Sequence, residues 1–411
     1  MKKLISFTFG ILALTACTDE LVSNDIGSEN TINATSDVSL TRTADEVLDI
    51  ANKAVKWFGE ENASLSRSKT MEISCITTKA GSRTANDTLL FVVNYGNDNG
   101  FAIISAKKDH DGLLAVTNNG TYTEGVEFDN PGMNMMMKNA IAYASIPIDP
   151  ILPPVPENPK MMEWVIDTIS SIDVAPRLST AWGTDFLGED GFPDPRVTCG
   201  PIAASQALAF LKQPSSIVLT HKNNSVLPLD WDSMIAEKYT VHYQRNLLGP
   251  EVAYRMGTFT SIDHTSNINN AKSVIDNLVP GHTSNIYHSN ADLSTIRNGG
   301  IIYVSARGVD ENEYSHAFII DGGHRLYITE TTYIVTYLSG TNLVLSRELK
   351  GVETLKDEYY FHVNWGWGGI NNGYFNSNLL APHKAIEYDD RVSESYYGGI
   401  YQYNQWYFTI N

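Results

Sequence analysis

Six prolines fall between residues 147 and 159: Pro147, Pro150, Pro153, Pro154, Pro156 and Pro159. Each fixes φ and removes a backbone donor, so this stretch suits neither a helix interior nor a central strand. It predicts an extended, exposed linker, placed at 146–170, that divides the 411-residue chain into two bodies. Such a linker is also a preferred site of proteolysis. Residues 41–145 read as a small α+β domain and residues 171–411 as a larger one.

In the first body, Thr43 and Glu46 make a capping-box pattern. Val47, Ile50, Ala51, Ala54 and Phe58 then share one helical face. Strand-like runs follow at Met71 to Thr78, Leu89 to Tyr95 and Phe101 to Ala106. Asn97-Asp98-Asn99-Gly100 between the last two signals a hairpin. Pro131 to Ser145 predicts a Met-rich helix.

Ahead of this body, Lys2 and Lys3 precede a short apolar run, Leu4 to Ala16, too short to span a bilayer. Residues 1–16 read as a signal peptide ending in Leu14-Thr15-Ala16-Cys17, which resembles the bacterial lipobox. The resemblance implies lipidation at Cys17. Residues 17–40, rich in Ser, Thr, Asn and Asp, read as a flexible tether. The expected location is the bacterial cell envelope, with the lipid as the membrane link. A formal net charge of -18 leaves no basic surplus for nucleic acid.

The larger body carries three stretches with chemistry. Cys199-Gly200-Pro201 opens a run of apolar and small residues to Leu211, which predicts a buried helix with proline in its first turn. A thiol at a helix N-terminus sits at the positive end of the peptide dipoles, which favours the thiolate. Cys199 is also the only cysteine after Cys75. His316 precedes an apolar strand, Ala317 to Ile320, followed by Asp321-Gly322-Gly323. His362-Val363-Asn364-Trp365-Gly366-Trp367-Gly368-Gly369 ends another strand at a glycine-rich turn. Taken singly, each has a plain structural reading: a buried cysteine, a satisfied strand histidine, an aromatic turn. Taken in order, they supply a thiol nucleophile, an imidazole base and an amide to fix its tautomer. The histidines show no zinc spacing and no metal is expected; phosphate-binding glycine loops and the Gly-x-Ser-x-Gly elbow are absent.

At these stretches the chain resembles the streptopain family of papain-fold cysteine peptidases. The likeness extends to Gln206 and Pro214 behind the thiol, to His316–Gly322 and to His362–Gly369. It also takes in Phe91–Asn94 and Gly100–Ala106 of the first body. It implies an α+β fold: a papain-like domain with Cys199 on a buried helix and His316 on an antiparallel sheet, preceded by an inhibitory prodomain. It implies a zymogen that cleaves protein substrates without a cofactor, with its own prodomain as intramolecular inhibitor. Cys199 is then the nucleophile, His316 the base, and Asn364 with Trp365 or Trp367 its orienting groups. The Cys199 backbone N–H contributes to the oxyanion hole. The family's second oxyanion donor is a glutamine, and Thr184 stands in its place after Ala181-Trp182-Gly183. That departure supports an alternative, a catalytically degraded homologue acting as a surface binding or adhesion lipoprotein. Between Gly323 and Tyr359 an insert reads as a long hairpin turning at Ser339–Asn342.

Overall fold

The computed structural model describes residues 41–58, 71–78, 88–96, 98–108, 110–146, 162–183, 197–220, 223–236, 242–258, 268–287, 293–306, 316–337, 344–380 and 406–411. The leader, the tether with Cys17, most of the proline stretch, and Thr184 lie outside them. In chain order the first body holds α1 (Ala44–Phe58), β1 (Glu72–Thr77), β2 (Thr88–Asn94), β3 (Phe101–Ser105), β4 (Leu113–Thr117) and α2 (Pro131–Ser145). Then come β5 (Met162–Val174), α3 (Cys199–Leu211), β6 (Ser216–Leu219), β7 (Ser225–Pro228), α4 (Trp231–Ala236), α5 (Tyr243–Arg255) and α6 (Ile268–Leu278). The chain continues through β8 (Ile286–Tyr287), α7 (Leu293–Arg297), β9 (Ile301–Ala306), β10 (His316–Tyr337), β11 (Val344–Asn364), β12 (Gly373–Asn376), α8 (Ser377–Leu380) and β13 (Trp406–Ile410).

The expected α+β class holds, but the two bodies are not separate in the sheet. One antiparallel sheet runs β1-β2-β3-β4-β12-β11-β10-β9-β13-β8, with β5 also paired to β10. The seam joins Ala115–Thr117 of β4 to Gly373–Phe375 of β12. The backbones close tightly there: a Cβ on Gly373 would lie 2.2 Å from the Val116 carbonyl oxygen. A strand edge carries unpaired N–H and C=O groups, and β4 covers the one that β12 would otherwise present.

Three clusters of buried side chains cover this sheet. The α1 face, with Val47, Ala51, Ala54 and Phe58, packs on β2–β4 and on Tyr360 and Tyr374. Its capping box forms as the sequence predicts, the Glu46 carboxylate taking the Thr43 N–H at 2.8 Å. The apolar α3 packs with α5 and α6 against β9, β10 and β13. On the opposite face, α2 bridges the bodies. Met133, Met135, Met136 and Met137 sit in one cluster with Leu90 and Val92 of β2 and with Phe318, Val363 and Trp365. Burying each such side chain contributes about 1.5–3 kcal/mol.

β5 changes the reading of the linker. Met162–Val174 pairs along β10 from Ile334 to Gly323, so the second half of the proline-rich region is ordered strand. The insert forms the expected hairpin as the outer parts of β10 and β11.

Candidate active site

The thiol helix begins where its sequence says. Thr198 is extended at φ -80° and ψ 174°, Cys199 is the first helical residue, and Pro201 occupies the first turn. Ten residues from Gly200 to Ala209 are buried, which anchors the N-terminus against β10. Cys199 itself is half-buried and is not in a disulfide. Burial pushes its thiol above the ordinary value, while the amides of Ala317, Gly200 and Cys199 itself pull the other way. The Ala317 interaction matters for geometry, because Ala317 adjoins His316 on β10. Thiol and imidazole therefore come from neighbouring positions.

His316 opens β10 and is buried. Its Nε2–H donates to the Trp365 carbonyl at 3.2 Å. That bond fixes the tautomer, with the proton on Nε2 and a lone pair on Nδ1. Burial lowers the imidazole to about 4, against a smaller opposing effect of the Trp365 carbonyl. Burial thus disfavours the charged form of both groups.

The cause of that burial lies in the first body. Helix α2 starts at the site, with Asn130 as N-cap accepting the N–H groups of Gly132 and Met133. Asn130 Nδ2 in turn donates to the Ile370 carbonyl at 3.1 Å. Gly132 lies so close that a Cβ there would stand 2.8 Å from His316 Cδ2 and 2.4 Å from Trp365 Cε3. Asn119 also grips the glycine-rich turn, donating to the Gly369 carbonyl and accepting the Asn371 N–H.

Asn364 is not where the expected triad needs it. Its Nδ2 donates to the Thr180 carbonyl at 2.9 Å and its Oδ1 accepts the Gly366 N–H at 3.1 Å. Directly opposite residues of a strand pair share a face. Asn364 pairs with Ile319 and so faces α3, whereas Trp365 packs on the face of Phe318. The carbonyl of Trp365 takes the orienting role instead. Its indole lies 5.9 Å from the His316 ring and is pinned by a bond from Nε1 to the Asn371 carbonyl. Trp367 is half-buried against the same cluster. Trp182 and Gly183 reach the turn too, the Gly368 N–H donating to the Trp182 carbonyl at 3.1 Å.

Sequence reasoning missed four participants. Gly132 and Asn119 carry no chemical signal; only the tertiary placement of α2 and of the segment after β4 brings them here. Asp321 and His362 stand in the motifs, but their pairing at 2.6 Å depends on strand register.

Comparison with known proteins agrees with this geometry. Residues 193–375 match the Peptidase C10 family, and residues 41–143 match the family described as Spi protease inhibitor. Among solved structures, a fragment of Prevotella intermedia prointerpain A aligns over 82% of this chain and 98% of its own, at 16% identity and a TM-score of 0.47. No curated protein matches the chain. A Peptidase C10 match that follows a Spi protease inhibitor match makes the chain a streptopain-like cysteine peptidase zymogen.

Proposed function

We propose that the chain is a latent endopeptidase in which Cys199 attacks the scissile carbonyl and His316 is its acid and base. The observation that carries this is the His316 bond to the Trp365 carbonyl, which takes up Nε2 and so leaves Nδ1 as the basic nitrogen. In the processed enzyme the imidazole takes the thiol proton and later gives it to the leaving amine. The Cys199 N–H, with Thr184 as the second donor, receives the oxyanion. Trp365 orients His316 and shields the bond, Trp367 walls the turn, and Asn364 acts at one remove by holding Thr180. The test is peptide hydrolysis by the processed protein. Cys199→Ala should abolish it with the melting temperature unchanged; surviving activity would sink the mechanism.

Latency follows from α2. Its N-terminus covers His316 and strips water from the pair. A neutral thiol is a poor nucleophile. A cut in the proline stretch would leave β5 with the peptidase domain, because β5 is paired along β10. Residues 146–161 are therefore the activation segment. With lipid on Cys17, the prodomain stays at the cell envelope while the catalytic fragment leaves it. Membrane fractionation checks both points. Processing should release a fragment whose mass begins within 146–161, and Cys17→Ser should release the whole chain. Unchanged fractionation of Cys17→Ser would contradict the anchor.

A further inference from the structure

Asp321 and His362 form a buried pair that the mechanism does not use. Where β10 meets β11, Ile320 pairs with Val363 and Gly322 with His362, leaving Asp321 as an extra, bulged residue. A bulge re-aims its side chain and is over-represented beside active sites. Gly322 permits this bulge, since a Cβ there would lie 2.9 Å from the Val174 carbonyl oxygen and 3.0 Å from Pro176 N.

The Asp321 carboxylate is fully buried and both of its oxygens are bonded. Oδ1 lies 2.6 Å from His362 Nδ1, and Oδ2 accepts the Leu178 N–H at 2.8 Å. The Asp321 carbonyl also accepts the Arg177 N–H. On its far side, His362 Nε2 is 3.2 Å from Asn118 Nδ2 of the prodomain. Burying a carboxylate costs several kcal/mol even when paired, and a well-packed apolar pair would often be as stable. Stability alone therefore does not explain its presence.

What the carboxylate holds is the chain from Leu178 to Gly183. Further along, Asn364 takes the Thr180 carbonyl, Gln206 accepts the Thr180 hydroxyl proton at 2.8 Å, and Gly368 binds the Trp182 carbonyl. Gln206 sits on the thiol helix itself, two turns after Cys199. Leu178 and Trp182 pack in the same cluster as Cys199. The segment is thus fixed relative to the thiol at each alternate residue, and Asp321 supplies its first anchor.

We propose that Asp321 and His362 are a positioning dyad that fixes the Leu178–Gly183 segment beside Cys199, and that prodomain Asn118 completes the same hydrogen-bonded chain in the zymogen. The dyad touches no reacting atom. It acts on the oxyanion side of the site and rests on the Cys199–His316 reading above.

The test uses the processed enzyme and two readouts: steady-state hydrolysis of a peptide amide, and alkylation of Cys199 by iodoacetamide. Alkylation needs the thiolate but builds no oxyanion. A misplacement of about 1 Å in a site can cost about 100-fold in rate. Asp321→Ala should lower kcat by roughly 10- to 100-fold, with KM and the alkylation rate within about twofold of wild type. Asp321→Asn should recover most of kcat, because its Oδ1 still accepts the Leu178 N–H. If Asp321→Ala does not fold, His362→Gln takes its place, with an expected kcat loss of about 3- to 10-fold and unchanged alkylation. Unchanged kcat in these variants, or kcat and alkylation falling together, would overturn the dyad's role. Wild-type Cys199 alkylating no faster than a free thiol would instead overturn the catalytic pair on which the dyad depends.

Discussion

At the scale of residues, His316 takes its orientation from a backbone carbonyl, and Asn364 is spent on the Thr180 segment. The two assignments are separable. Asn364→Ala should reduce kcat by about 10-fold through loss of one positioning bond, while the pH at which Cys199 alkylation falls off in acid stays where it is. A shift of that acid limb would show instead that Asn364 contacts the imidazole in the working enzyme. The placement of Cys199 at a helix start and of His316 at the head of a strand was legible in the sequence, because a proline-started apolar helix and a short apolar strand are local settings that need no partner to recognise. The role of Asn364 was not legible. Which face of β11 it occupies follows from the pairing of Ile319 with Asn364, and register between distant strands leaves no mark on either one.

At the scale of elements, α2 is both a structural bridge and the cover of the site. The sequence predicts a helix over Pro131–Ser145, and the structure forms it with those bounds, with proline at N1 behind an asparagine cap. Its function was hidden, since Gly132 gains meaning only beside Trp365 and His316. Gly132→Val puts three carbons where a single Cβ already collides, yet keeps a helical backbone. The uncut variant should alkylate at Cys199 at least about 10-fold faster than the uncut wild type, a shift of about 1.4 kcal/mol in docking. Equal latency would mean that α2 does not gate the thiol. β4 and β5 are among the elements the sequence did not signal. β4 is a short apolar run within a glycine-flanked stretch, and β5 sits behind prolines that suggested linker throughout. Both gain their backbone partners from β12 and β10, far away in the chain.

At the scale of the whole molecule, inhibitor and peptidase share one sheet, and docking buries the His316 imidazole. In the docked chain His316 is lowered from 6.5 to about 4 by burial, so the docked form binds its proton less readily. Acid therefore favours undocking, progressively from about pH 6.5 down to about 4, and the bias amounts to about 3 kcal/mol below that window. Latency is accordingly strongest above that window. The division into an inhibitor and a peptidase was readable from the proline break, whereas the seam through β4 and β12 was not, because a break in chain composition says nothing about sheet continuity. The most direct test of the account is the pH profile of Cys199 alkylation, measured on the freshly isolated uncut chain and on the processed enzyme. The processed enzyme should react rapidly and keep its rate into mildly acidic solution, as a thiolate–imidazolium pair does. The uncut chain should react slowly at neutral pH, its rate rising only as the pH enters and passes the range of an ordinary thiol or falls far enough to release the prodomain. Two superimposable profiles would contradict a prodomain that silences Cys199 and His316 by covering them.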